Sequence, residues 1–311
     1  MTEISLEILQ KFQIRKTTAQ KDAFIDFMLQ QFPNIQIQKH DRSKSKNLIL
    51  GDISNAEILL SAHYDTCSVL PFPNFISPKN FLLYLGYMLL ILVPVFAILI
   101  LCSTLLRLFT DEFWIHYFVL LFLYFGLFIL LLAGPPNKHT ANDNTSGVIT
   151  LCEIYTNLTE EEREKVAFLF FDNEENGLLG SRAFKIAHKD MIYNQLLINF
   201  DCVSDGDHIL FASTKKAREK WQIASYFPIN CNKTPMFEKA EHIFYPSDQK
   251  GFPNSVAVAA LKHNRFLGYY INRIHTPRDT IFDQENINYL QKGTHALIAD
   301  ICTISKKSTE L

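Results

Sequence analysis

No two of the six cysteines, Cys67, Cys102, Cys152, Cys202, Cys231 and Cys302, stand in a CxxC spacing. That argues against a zinc ribbon and against a thioredoxin-like site. Scattered through apolar, strand-like surroundings, the cysteines fit a reducing compartment better than a disulfide framework. A dense Lys/Arg stripe is lacking too, and a net charge of -2 gives no electrostatic footing for nucleic acid. The amino terminus, MTEISLEILQKFQIRK, has no long apolar core of the kind a secretory signal carries, so it predicts the start of a soluble domain. Apolar residues themselves are plentiful: at 48% of 311 residues they are enough to fill one large α/β domain or two small ones.

Charge disappears altogether between Phe81 and Leu106, and after the short RLFTDE connection a second apolar run extends from Phe113 to Ala133, broken in polarity only by His116. At about 1.5 Å per residue these runs make helices of roughly 39 Å and roughly 31 Å, each enough for a bilayer core of about 30 Å. Tyr84, Tyr87, Trp114 and Tyr117 are candidate interfacial aromatics, and Pro94 can kink the first helix. Two crossings return the chain to its starting side. The expected organisation is therefore a first catalytic part at 1–79, a transmembrane hairpin at 80–136 with spans at about 81–106 and 113–133, and a second catalytic part at 137–311. Lys79 and Lys138 flank the pair, while the connecting turn carries Arg107 beside Asp111 and Glu112; this bias predicts an integral membrane protein, of the plasma membrane, with its catalytic part facing the cytoplasm.

The rest of the chain alternates helices and strands. Thr17 or Thr18 caps a helix running to about Phe32, Ile35 and Ile37 begin a half-exposed strand, and Asn47 to Leu50 supply its partner. EILLSAHYD is a strand ending in His63 and Asp65, which point the same way because they stand two apart. Val166 to Phe171 is a buried strand, and Asp172, Glu174 and Glu175 arrive where it ends; Leu196 to Phe200 is another, ending in Asp201. Acids at the carboxyl ends of strands are where open α/β sheets build their sites. Asp143 sits in a polar turn before a helix from Gly147 to Tyr155, FLGYYINRIHTPRDT delivers His275 and Asp279, and a closing helix starts at Gln284. Asp205, Asp207, His208 and His242 read as solvated loop residues. Taken together, His63, Asp143, Glu175, Asp201 and His275 offer two imidazoles and three carboxylates, a donor set for two divalent ions such as zinc. A carboxylate shared between them would hold the pair roughly 3.5–4 Å apart, and Glu174, beside a ligand but itself free, is the natural base.

Six ordered pieces give the sequence a family resemblance: SAHYDT at 61–66, NDNTSG at 142–147, FFDNEENGLLGS at 170–181, NFD at 199–201, SDQKGF at 247–252 and HTPRDT at 275–280. The chain resembles the M28 metallopeptidases, the zinc aminopeptidase and glutaminyl-cyclase-like group, over nearly all sequence outside the apolar runs. The resemblance implies an α/β fold with a mostly parallel mixed central sheet flanked by helices, here interrupted by the two-helix transmembrane hairpin. It also implies one zinc on His63 and Asp201, a second on Glu175 and His275, Asp143 bridging them, Asp65 supporting His63, and Glu174 as general base and acid. Two features depart from the family pattern: the long apolar insertion between the His-x-Asp segment and Asp143, and Gln249 where the family often has histidine. No metal or oxyanion role is carried to Gln249.

The expected function is a membrane-anchored zinc-dependent metallo-exopeptidase, an aminopeptidase-like hydrolase acting on peptides with a free amino terminus. Two alternatives stay open at this point: glutaminyl-cyclase-like zinc acyl transfer, and a noncatalytic membrane receptor or scaffold that keeps the peptidase fold. Substrate side-chain preference and oligomeric state are not legible.

Overall fold

In the computed structural model the described residues are 1–309 apart from Pro71 and Cys231. The chain opens with α1 (Glu3–Lys11) and α2 (Thr18–Gln31). Thr17 caps α2 in a reciprocal pair: its hydroxyl accepts from the Gln20 N–H at 3.3 Å, and the Thr17 N–H donates to the Gln20 side chain at 2.9 Å. Strands β1 (Gln36–His40), β2 (Ser45–Leu50) and β3 (Ile58–His63) follow, then the apolar helices α3 (Phe81–Leu106) and α4 (Phe113–Ala133), and α5 (Gly147–Asn157) and α6 (Glu160–Arg163). The remainder runs β4 (Val166–Phe171), α7 (Leu179–Ala187), β5 (Leu196–Phe200), β6 (His208–Ser213), α8 (Lys215–Lys220), β7 (Thr234–Lys239), β8 (Ser255–Asn264), β9 (Gly268–Tyr270) and α9 (Gln284–Thr309).

One mixed sheet holds these strands in the order β1-β2-β4-β3-β5-β8-β6-β7, with β9 paired to the end of β8. Its centre is parallel: β4, β3, β5 and β8 run side by side in one direction. Every residue of β3, β4 and β5 is buried, as expected of strands covered on both faces. Alternation along the central strands sends their side chains to opposite faces of the sheet. Leu60, Phe168, Phe170 and Ile198 pack on one face against Phe24 and Met28 of α2, Val148 and Leu151 of α5, and Leu290 and Ile298 of α9. Leu59, Leu169, Phe171 and Leu197 pack on the other, against Phe184 of α7 and Phe252. The expected class, a mixed α/β sheet flanked by helices, is therefore the one observed.

The two apolar helices occupy the residues at which the hydropathy pattern put them. Phe81–Leu106 is long and apolar enough to cross a membrane, with a mean hydropathy of 2.9 and none of it buried. The part of the second helix whose side chains are described without interruption, Phe113–Leu127, is shorter. The insertion is tied to the rest of the chain at both ends. On the way in, Ile76 and Ile271 exchange backbone hydrogen bonds of 2.8 and 2.9 Å and the Phe244 N–H donates to Pro78 at 2.9 Å; on the way out, the Asn137 N–H donates to the carbonyl of Cys67 at 3.1 Å. Cys67, Cys102, Cys152, Cys202 and Cys302 are free thiols, and Cys231 lies outside the described residues.

Candidate metal centre

Parallel strands deliver their last residues to one edge of a sheet, and three of them do so here. His63 ends β3 opposite Phe171 of β4, and the Ser61–Asn199 pairing, continued by two residues, puts Asp201 beside His63 on the other side. Glu174 and Glu175 follow in the turn after β4. Asp143 comes from the irregular turn preceding α5, and His275 from the loop after β9. Asn173, Cys202 and His275 hold left-handed backbones, with φ of 57°, 57° and 59°. Such conformations are costly for side chains other than glycine and concentrate where a site constrains the chain.

Asp143 is the hinge of the cluster. Its Oδ1 lies 3.3 Å from His63 Nε2, and its Oδ2 lies 2.9 Å from His275 Nε2. On the first side His63 Nε2 is also 3.6 Å from Asp201 Oδ1; on the second, His275 Nε2 is 3.3 Å from Glu175 Oε2. His63 Nδ1 sits 3.0 Å from the carbonyl oxygen of Asp65 and 3.6 Å from its Oδ1. A proton on Nδ1 donated there leaves the Nε2 lone pair facing Asp143 and Asp201. The Asp65 carboxylate has other work: it accepts the N–H groups of Glu174 at 2.9 Å and Glu175 at 3.2 Å, which clamps the two glutamates to the His63 strand.

A second buried acid repeats the device. Asp279 accepts the N–H groups of Asn142 at 2.9 Å and Asp143 at 3.0 Å, and Asn142 Oδ1 in turn accepts from Ser204 at 2.7 Å and Asp205 at 3.1 Å. Asn144 ties the same turn to the end of β5 through a 2.9 Å hydrogen bond to the Phe200 carbonyl. Gly147 makes this approach possible, because a Cβ there would stand 2.4 Å from both the Phe200 oxygen and the Asn144 side chain.

Electrostatics reinforce the geometry. Burial alone would lower the basicity of His63, but Asp143, Asp201 and Asp65 outweigh it and raise the pKa well above the usual imidazole value. His275 is raised likewise, with Glu175 and Asp143 beside it. Burial works against Asp143 as well, yet His275 and His63 hold its carboxyl below the ordinary range. Glu174 is pushed well up by burial, partly opposed by His63. Burial also carries Asp279 to about 8, with the charge of Asp143 adding to it.

Imidazole nitrogens and carboxylate oxygens within reach of one another are the donors that zinc takes. His63, Asp143 and Asp201 form one such group, and Cys67, Glu175 and His275 another, their donor atoms all lying within 4.8 Å of each other. Glu175 Oε1 is buried with no hydrogen-bond partner, an orphan that a cation would satisfy. The donor set therefore fits a metal. All five residues expected as ligands converge, and Glu174 stands with them around a cavity of about 170 Å³. Cys67 was not among the residues expected as ligands, yet its thiol keeps ligand distance from Glu175 and His275. Asp248, in the SDQKGF stretch, is fully buried with both carboxylate oxygens unpaired and its pKa driven by burial to about 7. Asp205 departs from its expected solvated role: it is buried and pairs with Lys262 at 2.6 Å and Arg273 at 2.9 Å, and His208 lies in β6 rather than in a loop.

A parallel-centred sheet with a His/carboxylate cluster at its strand ends defines a metallohydrolase of aminopeptidase-like architecture. More particularly, the chain belongs to peptidase family M28, whose sequence profile matches residues 128–299. That span takes in Asp143, Glu174, Glu175, Asp201 and His275 and leaves His63, Asp65 and most of the apolar insertion outside it. With the ligand cluster, membership bears out the expectation of a zinc metallo-exopeptidase. A search of curated proteins finds no match. Solved structures share the fold: the LapA aminopeptidase of Legionella pneumophila is 12% identical, with a TM-score of 0.54 over 96% of this chain and 69% of that one. A Zn-dependent exopeptidase from Parabacteroides distasonis is 14% identical, with a TM-score of 0.56 over 95% and 94%. The glutaminyl cyclase of Porphyromonas gingivalis is 16% identical, with a TM-score of 0.57 over 96% and 97%.

Proposed function

We propose that the protein is a membrane-anchored, two-zinc aminopeptidase that removes the first residue of peptides. The observation that carries this reading is the division of Asp143, one carboxylate oxygen toward His63 and the other toward His275. In this assignment His63 and Asp201 hold one ion, Glu175 and His275 the other, and Asp143 is shared. When bound, zinc supplies Lewis acidity toward a water and a substrate carbonyl. Glu174 takes the proton of the attacking water and returns it to the departing amine. Asp65 keeps Glu174 in place by accepting its backbone N–H at 2.9 Å.

In the same reading a single catalytic unit, built from residues 1–79 and 137–311, is interrupted at 80–136 by helices α3 and α4 crossing the bilayer as an antiparallel pair. The flanking Lys79 and Lys138 favour a cytoplasmic catalytic side. The exposed apolar surface of α3 supports membrane association, since burying it in protein would leave no such surface. Metal analysis of the purified full-length chain, paired with a panel of aminopeptidase substrates and amino-terminal glutamine peptides, is the test. About two zinc ions per chain and peptide hydrolysis are expected. Cyclisation of glutamine without hydrolysis would turn the assignment to acyl transfer, and neither metal nor turnover would leave a noncatalytic scaffold.

A further inference from the structure

The apolar helix α3 and the catalytic cavity share a wall. Tyr84, on the first turn of α3, lines the same cavity as His63, Asp143, Glu174, Glu175, Asp201 and His275. Its ring centre lies 5.3 Å from that of Phe244, which in turn lies 5.1 Å from Phe81. Ile76 and Ile274 line the cavity with them. This wall is fixed in place: the backbone bonds of Ile76 to Ile271 and of Phe244 to Pro78 tie the entering segment to the catalytic unit, and the Ser77 hydroxyl adds a 3.2 Å bond to the Tyr269 carbonyl. A side chain seated beyond the ligand cluster therefore meets Tyr84 and Phe244, with Tyr245 beside them, and the branched aliphatics Ile76 and Ile274.

The helix also sets a distance. Tyr84 stands three residues after Phe81, about 4.5 Å along the helix axis. On the same turns Leu82 and Leu85 are exposed at 77% and 42%, and Leu89, on the next turn, at 56%. The first two turns of α3 thus present Tyr84 to the catalytic cavity and leucines to the surroundings, which are lipid if the helix enters a bilayer here.

We infer that this enzyme acts on peptides held at the bilayer surface, and that Tyr84 and Phe244 form a wall selecting an apolar first residue. The inference rests on the aminopeptidase and membrane-span readings above. A cavity within one helical turn of the interface receives an amino terminus anchored in the same membrane without a long reach, and the apolar wall suits the residues that such peptides bury at the interface.

The full-length enzyme in phosphatidylcholine nanodiscs is given peptides beginning with leucine or serine, either free or tethered to the disc by a carboxyl-terminal palmitoyl-lysine. Polar spacers of about four or about fifteen residues reach about 13 Å or about 50 Å. The short tether should be cleaved as fast as the long one, and free leucine peptides should exceed free serine peptides in kcat/KM by at least about tenfold. Tyr84→Ala should remove most of that preference while the bound zinc stays unchanged, and Phe244→Ala, in a loop, serves if the helix variant does not fold. Cleavage of only the long-tethered peptide, or an undiminished leucine preference in the folded variants, would overturn the inference and leave the aminopeptidase reading standing. Absence of hydrolysis for every peptide would sink that reading and the inference with it.

Discussion

At the scale of single residues, the proposed assignment gives Asp143 the holding of charge and Glu174 the moving of a proton. Asp143 faces both histidines, so Asp143→Asn takes negative charge from both halves at once. Metal analysis of the folded variant should show both ions depleted; full occupancy would remove Asp143 from the bridging position. Glu174→Gln keeps size and shape and leaves the Asp65 clamp untouched, because that clamp uses the backbone N–H. It should retain its metal and lose hydrolysis by about 10²-fold or more, the scale of a lost general base. Near-normal turnover in this variant would rule Glu174 out. That His63, Asp143, Glu175 and Asp201 would come near one edge of the sheet was legible, because each follows or ends a strand or precedes a helix in the sequence, whereas His275 lies in the loop between β9 and α9, where the family resemblance pointed to it. The clamps were not legible. Asp65 and Asp279 act on backbone N–H groups, which have no identity in a sequence, and the buried pairing of Asp205 with Lys262 and Arg273 depends on partners more than fifty residues away along the chain.

Among the elements, the buried parallel strands and the helices with caps or long apolar faces announced themselves. The central strands β3, β4 and β5 read as apolar runs, and α2, α5 and α9 carried a cap or a periodic face. The edge did not: β7 is a half-exposed strand that begins Thr234-Pro235, with no apolar run to mark it, and β6 starts at His208 directly after a polar turn. The start of α5 makes a prediction at this scale. Because a Cβ at Gly147 would collide with the Phe200 carbonyl and the Asn144 side chain, Gly147→Ala should cost about 1–3 kcal/mol and lower the melting temperature by several degrees. Gly86→Ala, where nothing lies within 4 Å, is the control and should leave it within about a degree. Equal melting temperatures for the two variants would mean that the turn carrying Asp143 is less tightly packed against β5 than described.

For the whole molecule, two measurements bear on the centre and on the insertion. A bound ion stabilises only the folded chain, so chelation should lower the melting temperature and zinc should restore it; an unchanged melting curve, with metal shown to have been removed, would argue against a structural load on the centre. Topology is tested by thiol labelling in sealed vesicles. Asp41, Glu160 and Asp111 are exposed, and Cys67, Cys152, Cys202 and Cys302 of the parent chain are buried; with Cys102 and Cys231 replaced by alanine, a cysteine introduced at each of the three can be read against a low background. Cysteines at 41 and 160 should label from the cytoplasmic face and one at 111 only from the opposite face. Labelling of all three from one face would leave α3 and α4 as a surface hairpin rather than two crossings.

The order of the strands also dictates an order of events on the ribosome. β3 pairs with β4 and β5 in the finished sheet, yet both partners are synthesised after the apolar insertion. At about 5–20 residues per second, roughly a hundred residues separate His63 from Phe171 by some 5–20 seconds. During that interval β3 has neither parallel neighbour, although all six of its residues are buried in the finished fold. Nascent chains halted before residue 166 should therefore be sensitive to protease around Ile58–His63, and become resistant only once β4 and β5 have emerged. The apolar insertion is thus complete before the chain has a sheet on which to assemble its ligand cluster.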